Sequence, residues 1–75
     1  MNPTTDIDVA QAEAIARAKD AAEQEIHGRF LERRAQAQHV EVTELPEFRD
    51  WMAARHATDE AWGRWAMAME AASQQ

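Results

Sequence analysis

There is no cysteine in the 75-residue chain, which excludes disulfides and thiolate metal sites. Only two glycines occur, Gly28 and Gly63, so no glycine-rich loop is available to cradle a phosphate. Basic residues are scarce, 8 against 14 acids, for a formal net charge of −6. A chain of that sign repels phosphate backbones, so direct nucleic-acid binding is not expected. The same sign suits a basic protein, including one whose own ligand is DNA or RNA. No apolar run is long enough to span a bilayer. The start MNPTTDID has neither a basic stretch nor an apolar one, so no signal peptide is expected. These absences point to a cytoplasmic protein. The three histidines, His27, His39 and His56, form no i, i+4 pair suited to a metal on a helix. Neither a metal nor any other cofactor is expected.

What is present is helix-forming sequence. From Thr5 to Gln38 alanine, glutamate, glutamine, arginine and lysine dominate, and these are the strong helix formers. Thr5-Asp6-Ile7-Asp8 reads as a capping box that opens helix one over residues 5–38, after a frayed start at 1–4. Acid-first pairs at i, i+4, Glu13 with Arg17 and Glu25 with Arg29, support it. At 100° per residue, Ile15, Ala22, Ile26, Ala37 and Val40 share a narrow stripe with Phe30 beside it, while Leu31 and Ala35 point elsewhere. Small side chains on such a stripe let two helices approach closely, either within this chain or against a second copy. Gly28 weakens helix one by about 1 kcal/mol relative to alanine and marks a place where it would bend or break.

Residues 39–44 read as a connector. The alternation in His39-Val40-Glu41-Val42-Thr43 resembles a strand, but with no partner strand it makes no sheet. Pro46 fits the first turn of a second helix, with Thr43 as its cap. That helix, Leu45 to His56, gathers Leu45, Phe48, Trp51 and Met52 on one face. Thr58 followed by two acids is a further N-cap signal. It predicts a third helix, Asp59 to Ala72, with Trp62, Trp65, Ala66 and Met69 as its stripe and Glu60 paired with Arg64. The expected fold is all-α: a long N-terminal helix lying across a helical hairpin of residues 45–72, a small three-helix bundle in one domain. Its core and dimer seam are read as Ile15, Ala22, Ile26, Phe30, Phe48, Trp51, Trp62, Trp65 and Met69. A buried aromatic removes roughly 150–250 Å² from water, so these rings supply much of the core. A domain this short buries only about 60% of its unfolded surface. Homodimerisation is the expected source of further burial.

Candidate sites are few. Catalysis is not expected, because a short helical chain has little room for a water-excluding pocket. His56, Asp59 and Glu60 imitate a metal or general-base cluster but also mark a helix end and the next helix start. HGRFLERR places Arg29, Arg33 and Arg34 on or near one face; Glu25 and Glu32 flank them, so an acidic protein patch suits them better than DNA. Glu41, Glu44, Glu47 and Asp50 recur every three residues. Such a row can imitate a phosphate backbone to a basic protein.

The second half, Phe48-x-x-Trp51 followed by Thr58-x-x-Ala61-Trp62-x-x-Trp65, resembles a pattern found in short accessory proteins of tailed bacteriophages and prophages. The resemblance implies a small viral protein made early in infection and implies no activity. Proteins of that kind often bind a host protein and block it. The function expected here is therefore non-enzymatic: binding, then inhibiting or redirecting, a host protein as an anti-defence or host-takeover factor. The binding residues would be the four acids and the three arginines. The alternative is a structural, assembly or oligomerisation module of a phage.

Overall fold

In the computed structural model the backbone is described for residues 3–74 and the side chains for residues 8–74. A single α-helix, α1 (Pro3–Gln36), takes up nearly half of the chain. Pro3 fits a first helical turn because the N–H it lacks would have had no partner there. Pro3 and Thr4 are thus helical, in place of the frayed start expected over 1–4. Met1 and Asn2 lie outside the described residues, as do the side chains of Thr5 and Asp6 in the expected capping box. The two acid-first pairs form, Glu13–Arg17 at 3.7 Å and Glu25–Arg29 at 3.0 Å. The helix runs through Gly28 without a break. Arg33 and Arg34 stand in its last turn, where positive charge complements the helix dipole.

The reversal uses ordinary residues. The Ala37 N–H donates to the Arg33 carbonyl at 3.0 Å, and the Val40 N–H to the Ala37 carbonyl at 3.2 Å. A single 3₁₀ turn, Val42–Glu44, follows. No residue there needs a positive φ. The second helix, α2, spans Pro46–Ser73. Its N-cap is Leu45 in extended conformation with no side-chain cap bond. Thr43 is therefore not the cap; it sits within the 3₁₀ turn. Leu45 instead tucks its side chain inward, 3% exposed, and its carbonyl accepts from the Phe48 N–H at 3.0 Å.

The expected third helix is corrected. Residues 46–73 form one helix, so the fold is all-α with two helices and not a three-helix bundle. A cap residue permits a helix to start, but nothing here stops the preceding one: no glycine or proline stands between Pro46 and Gly63. Thr58 lies in mid-helix, 6% exposed, and its hydroxyl donates to the Ala54 carbonyl at 3.0 Å. That i−4 bond satisfies the buried oxygen without ending the helix. Glu60 accepts from His56 Nε2 at 2.9 Å, not from Arg64.

The helices pack antiparallel along a seven-residue register. The seam runs through Val9, Ala16, Glu23 and Phe30 of α1 and on to Ala37 just past its end, with Glu13, Asp20 and His27 interleaved, all partly or fully buried. On α2 the seam runs through Trp51, Thr58, Trp65 and Ala72, with Ala54, Ala61 and Ala68 between, again all partly or fully buried. This 3-4 alternation is the mark of a coiled-coil seam. Ala16 is 0% exposed and Ala61 4%. A side chain of one carbon is shut off that completely only where a neighbouring helix comes very close.

Several expected core residues therefore move outward. Ile15 is 45% exposed, Met69 46% and Val40 43%, and Ala22 and Ala66 are exposed as well. The stripe through Ile15 and Ala22 lies one residue, about 100°, from the true seam at Ala16 and Glu23. The cause is the seven-residue step of the α2 face, which selects positions on α1 that include three acids. Those acids hid the seam from a search for apolar residues.

The molecule is a rod of 57 × 15 × 12 Å with a radius of gyration of 16.8 Å, against about 11 Å for a compact domain of this length. No described helix is long and apolar enough to cross a membrane. A Cβ added at Gly28 or Gly63 meets nothing within 4 Å. Gly28→Ala and Gly63→Ala are each expected to stabilise the hairpin by about 0.5–1 kcal/mol. Each should raise the thermal midpoint by several degrees in a circular-dichroism melt. A lowered midpoint at Gly28 would mean that α1 bends there in solution.

Candidate functional site

Two flanks run along the rod, one on each side of the seam, and their chemistry differs. The first is a groove of about 420 Å³. Its floor is Ala22 and Ile26 from α1 with Ala53, Ala54 and Ala57 from α2. Its charged walls are sorted by sign: α1 contributes Lys19 and Arg29, α2 contributes Glu47 and Asp50. The apolar stripe read from helix one thus lines this open groove beside the seam. Ala22 and Ile26 belong to it directly, and Ile15 lies on the same side of α1 two turns before Ala22. The groove alanines Ala53 and Ala57 gave no sign in the sequence beyond their spacing.

The second flank is aromatic. Trp51 stacks on His27 with centroids 4.3 Å apart and on Phe30 at 5.1 Å. Phe48 meets the Trp51 ring edge-on at 6.3 Å, and the Arg55 guanidinium carbon sits 5.7 Å from its centroid. Phe30 is 3% exposed and anchors the cluster. His27 was not anticipated as a stacking partner; its place in the series Glu13, Asp20, His27 is the signal that reveals it. Farther along α2, Trp62 and Trp65 contact each other edge-to-face at 5.4 Å and 89°. Both are partly buried. Trp65 occupies a seam position and Trp62 shields it from the side, so an indole pair too large for a two-helix seam covers it as a lid. The edge-to-face geometry is the one that ring quadrupoles favour.

The charged candidates are divided between tasks. Glu41, Glu44, Glu47 and Asp50 do not form one row on one helix, because the chain changes conformation through them. Glu41 is extended before the 3₁₀ turn, Glu44 ends that turn, and Glu47 and Asp50 lie on α2. Glu41 and Glu44 are exposed at the tip of the hairpin, and Asp50 is exposed on the groove wall. Glu47 is partly buried and faces Arg33 across the helices at 3.8 Å. Of the arginines, Arg29 pairs with Glu25 and Arg33 with Glu47, while Arg34 is exposed without an ion pair among the described residues. The Glu47 oxygen that faces Arg33 across 3.8 Å, too far for a hydrogen bond, and the Trp51 indole N–H are buried one helical turn apart without hydrogen-bond partners. Leaving such groups unmet costs about 1–3 kcal/mol each, so the turn-proximal end of the seam carries a local stability cost.

His56 and Glu60 form an intrahelical pair on the exposed surface, with side chains 76% and 55% exposed. Among the described residues no three histidine, aspartate or glutamate side chains converge as a metal site would require. Comparison with protein-family models, with curated proteins and with solved structures gives no match for this chain.

The aromatic flank and the cross-helix ion pair should differ sharply in energetic weight. Trp51→Ala is expected to cost about 2–3 kcal/mol, somewhat under the figure for a fully enclosed ring. Arg33→Ala should cost about 1 kcal/mol, because the pair is long, 3.8 Å, and half exposed on the arginine side. Urea titrations of both variants give the comparison. Equal losses would show that Trp51 lies on the surface without holding α1.

Proposed function

We propose that the protein is a non-catalytic interaction module: a helical hairpin that docks its acidic tip on a basic face of a host protein and so blocks or redirects it. The observation that carries this reading is the exposure of Glu41 and Glu44 at the reversal, away from the ion pairs within the helices. Carboxylates held there stand clear of the body of the rod, where a basic surface can approach them. A net charge of −6 steers such an encounter and makes it salt-dependent. The aromatic pattern Phe48-x-x-Trp51 and Ala61-Trp62-x-x-Trp65, with its likeness to accessory proteins of tailed bacterial viruses, supports a viral anti-defence or host-takeover role. On this reading the tryptophans hold the hairpin together and leave recognition to the tip.

The second reading, a structural or oligomerisation module of a phage, is favoured by a different observation: the long alanine-floored groove beside the seam. The first reading is tested with the purified chain as bait in bacterial lysate, beside the double variant Glu41→Gln/Glu44→Gln. A basic protein should be retained by the parent chain, and its recovery should fall at least tenfold with the variant and with raised salt. Undiminished recovery by a variant of unchanged helicity would sink acidic docking.

A further inference from the structure

We infer that the groove beside the seam is closed by the same groove of a second copy, giving a four-helix bundle with both hairpin tips at one end. The accessible surface of the chain is 5682 Å², whereas a compact monomer of 8.5 kDa exposes roughly 4,650 Å². Each copy therefore displays about 1,000 Å² more than a globular monomer of its mass. Covering that excess on two copies removes about 2,000 Å² in all, above the total of about 1,600 Å² typical of a stable complex. The face that would be covered is apolar and shallow. Ala22, Ala53 and Ala57 allow a neighbouring helix close approach, while Ile26 and the half-exposed Ile15 supply bulk to bury.

The charges select the orientation. A two-fold axis parallel to the helices lays α1 of one copy over α2 of the other, with the tips together. Arg29 of one copy then lies level with Asp50 of its twin, because Arg33 meets Glu47 and Phe30 meets Trp51 at the same height within each hairpin, and the symmetry repeats the match. An axis across the helices lays α1 on α1 and α2 on α2, which sets Lys19 of one copy against Arg29 of the other. The first arrangement also brings both acidic tips to the same end, so one partner would meet two copies of Glu41 and Glu44. That last consequence rests on the docking role proposed above; the dimer does not.

Sedimentation equilibrium over a range of micromolar concentrations is expected to give twice the 8.5 kDa chain mass, and the thermal midpoint should rise with concentration. Ala22 and Ala53 are exposed in the single hairpin. Ala22→Glu and Ala53→Glu should therefore leave helicity intact while shifting the mass to that of one chain. Arg29→Glu alone and Asp50→Lys alone should each weaken self-association, and mixing the two variants should restore a dimer. Spin labels on Gln38→Cys should report a separation on the order of the bundle's width. A parent chain that stays monomeric with a concentration-independent midpoint would overturn the inference. So would a dimer indifferent to both glutamate variants, or a label separation near the 57 Å length of the rod. Glu41→Gln/Glu44→Gln should leave the mass unchanged, so undiminished partner capture by a variant that still dimerises would count against the docking role alone.

Discussion

Everything in this molecule depends on how closely two helices can approach along a line of alanines. At Ala16 and Ala61 the side chains are almost wholly enclosed, and each is a single methyl group. That proximity aligns two oppositely directed helix dipoles side by side and brings the remaining seam residues into register. Anything longer at these two positions would wedge the rod open. The hairpin is thus held by small residues in its middle and by large ones to either side, the Phe30–Phe48–Trp51 group near the reversal and the Trp62–Trp65 pair beyond.

This division explains where the open surfaces fall. Alanine contacts are close but small in area, so the seam consumes little apolar surface and leaves a floor of alanine and isoleucine beside it. The bulky rings take the other flank and cover the seam there. One side of the rod is therefore finished and the other open, and the open side has its charges sorted between the two helices. The tip is separate from both: its exposed glutamates belong to the turn and carry no structural role across the helices.

Much of this was legible in the residues, and the failures have specific causes. The all-α class, the intrahelical pairs at Glu13 and Glu25, the connector and the proline start of α2 follow from local chemistry that acts within a few residues. The division of α2 at Thr58 failed because a start signal was read without asking what would stop the preceding helix. The seam of α1 was missed by one residue because Glu13, Asp20 and Glu23 occupy it; the choice of buried face was made by the partner helix and not by α1's own apolar content. The stripe at Ile15, Ala22 and Ile26, read as core or dimer seam, is a real surface feature: Ala22 and Ile26 line the open groove and Ile15 stands half-exposed beyond them. The acid row was visible as spacing, but only the change from extended chain to 3₁₀ turn to helix shows that its members point to different tasks.

The 57 × 15 × 12 Å outline has a hydrodynamic consequence. A body nearly four times as long as it is wide drags more water as it tumbles than a sphere of equal mass, so it diffuses slowly and leaves a sizing column early. One hairpin on such a column would pass for something heavier than it is. Two laid side by side, as the groove allows, would be thicker but no longer, and their apparent size would grow far less than their mass.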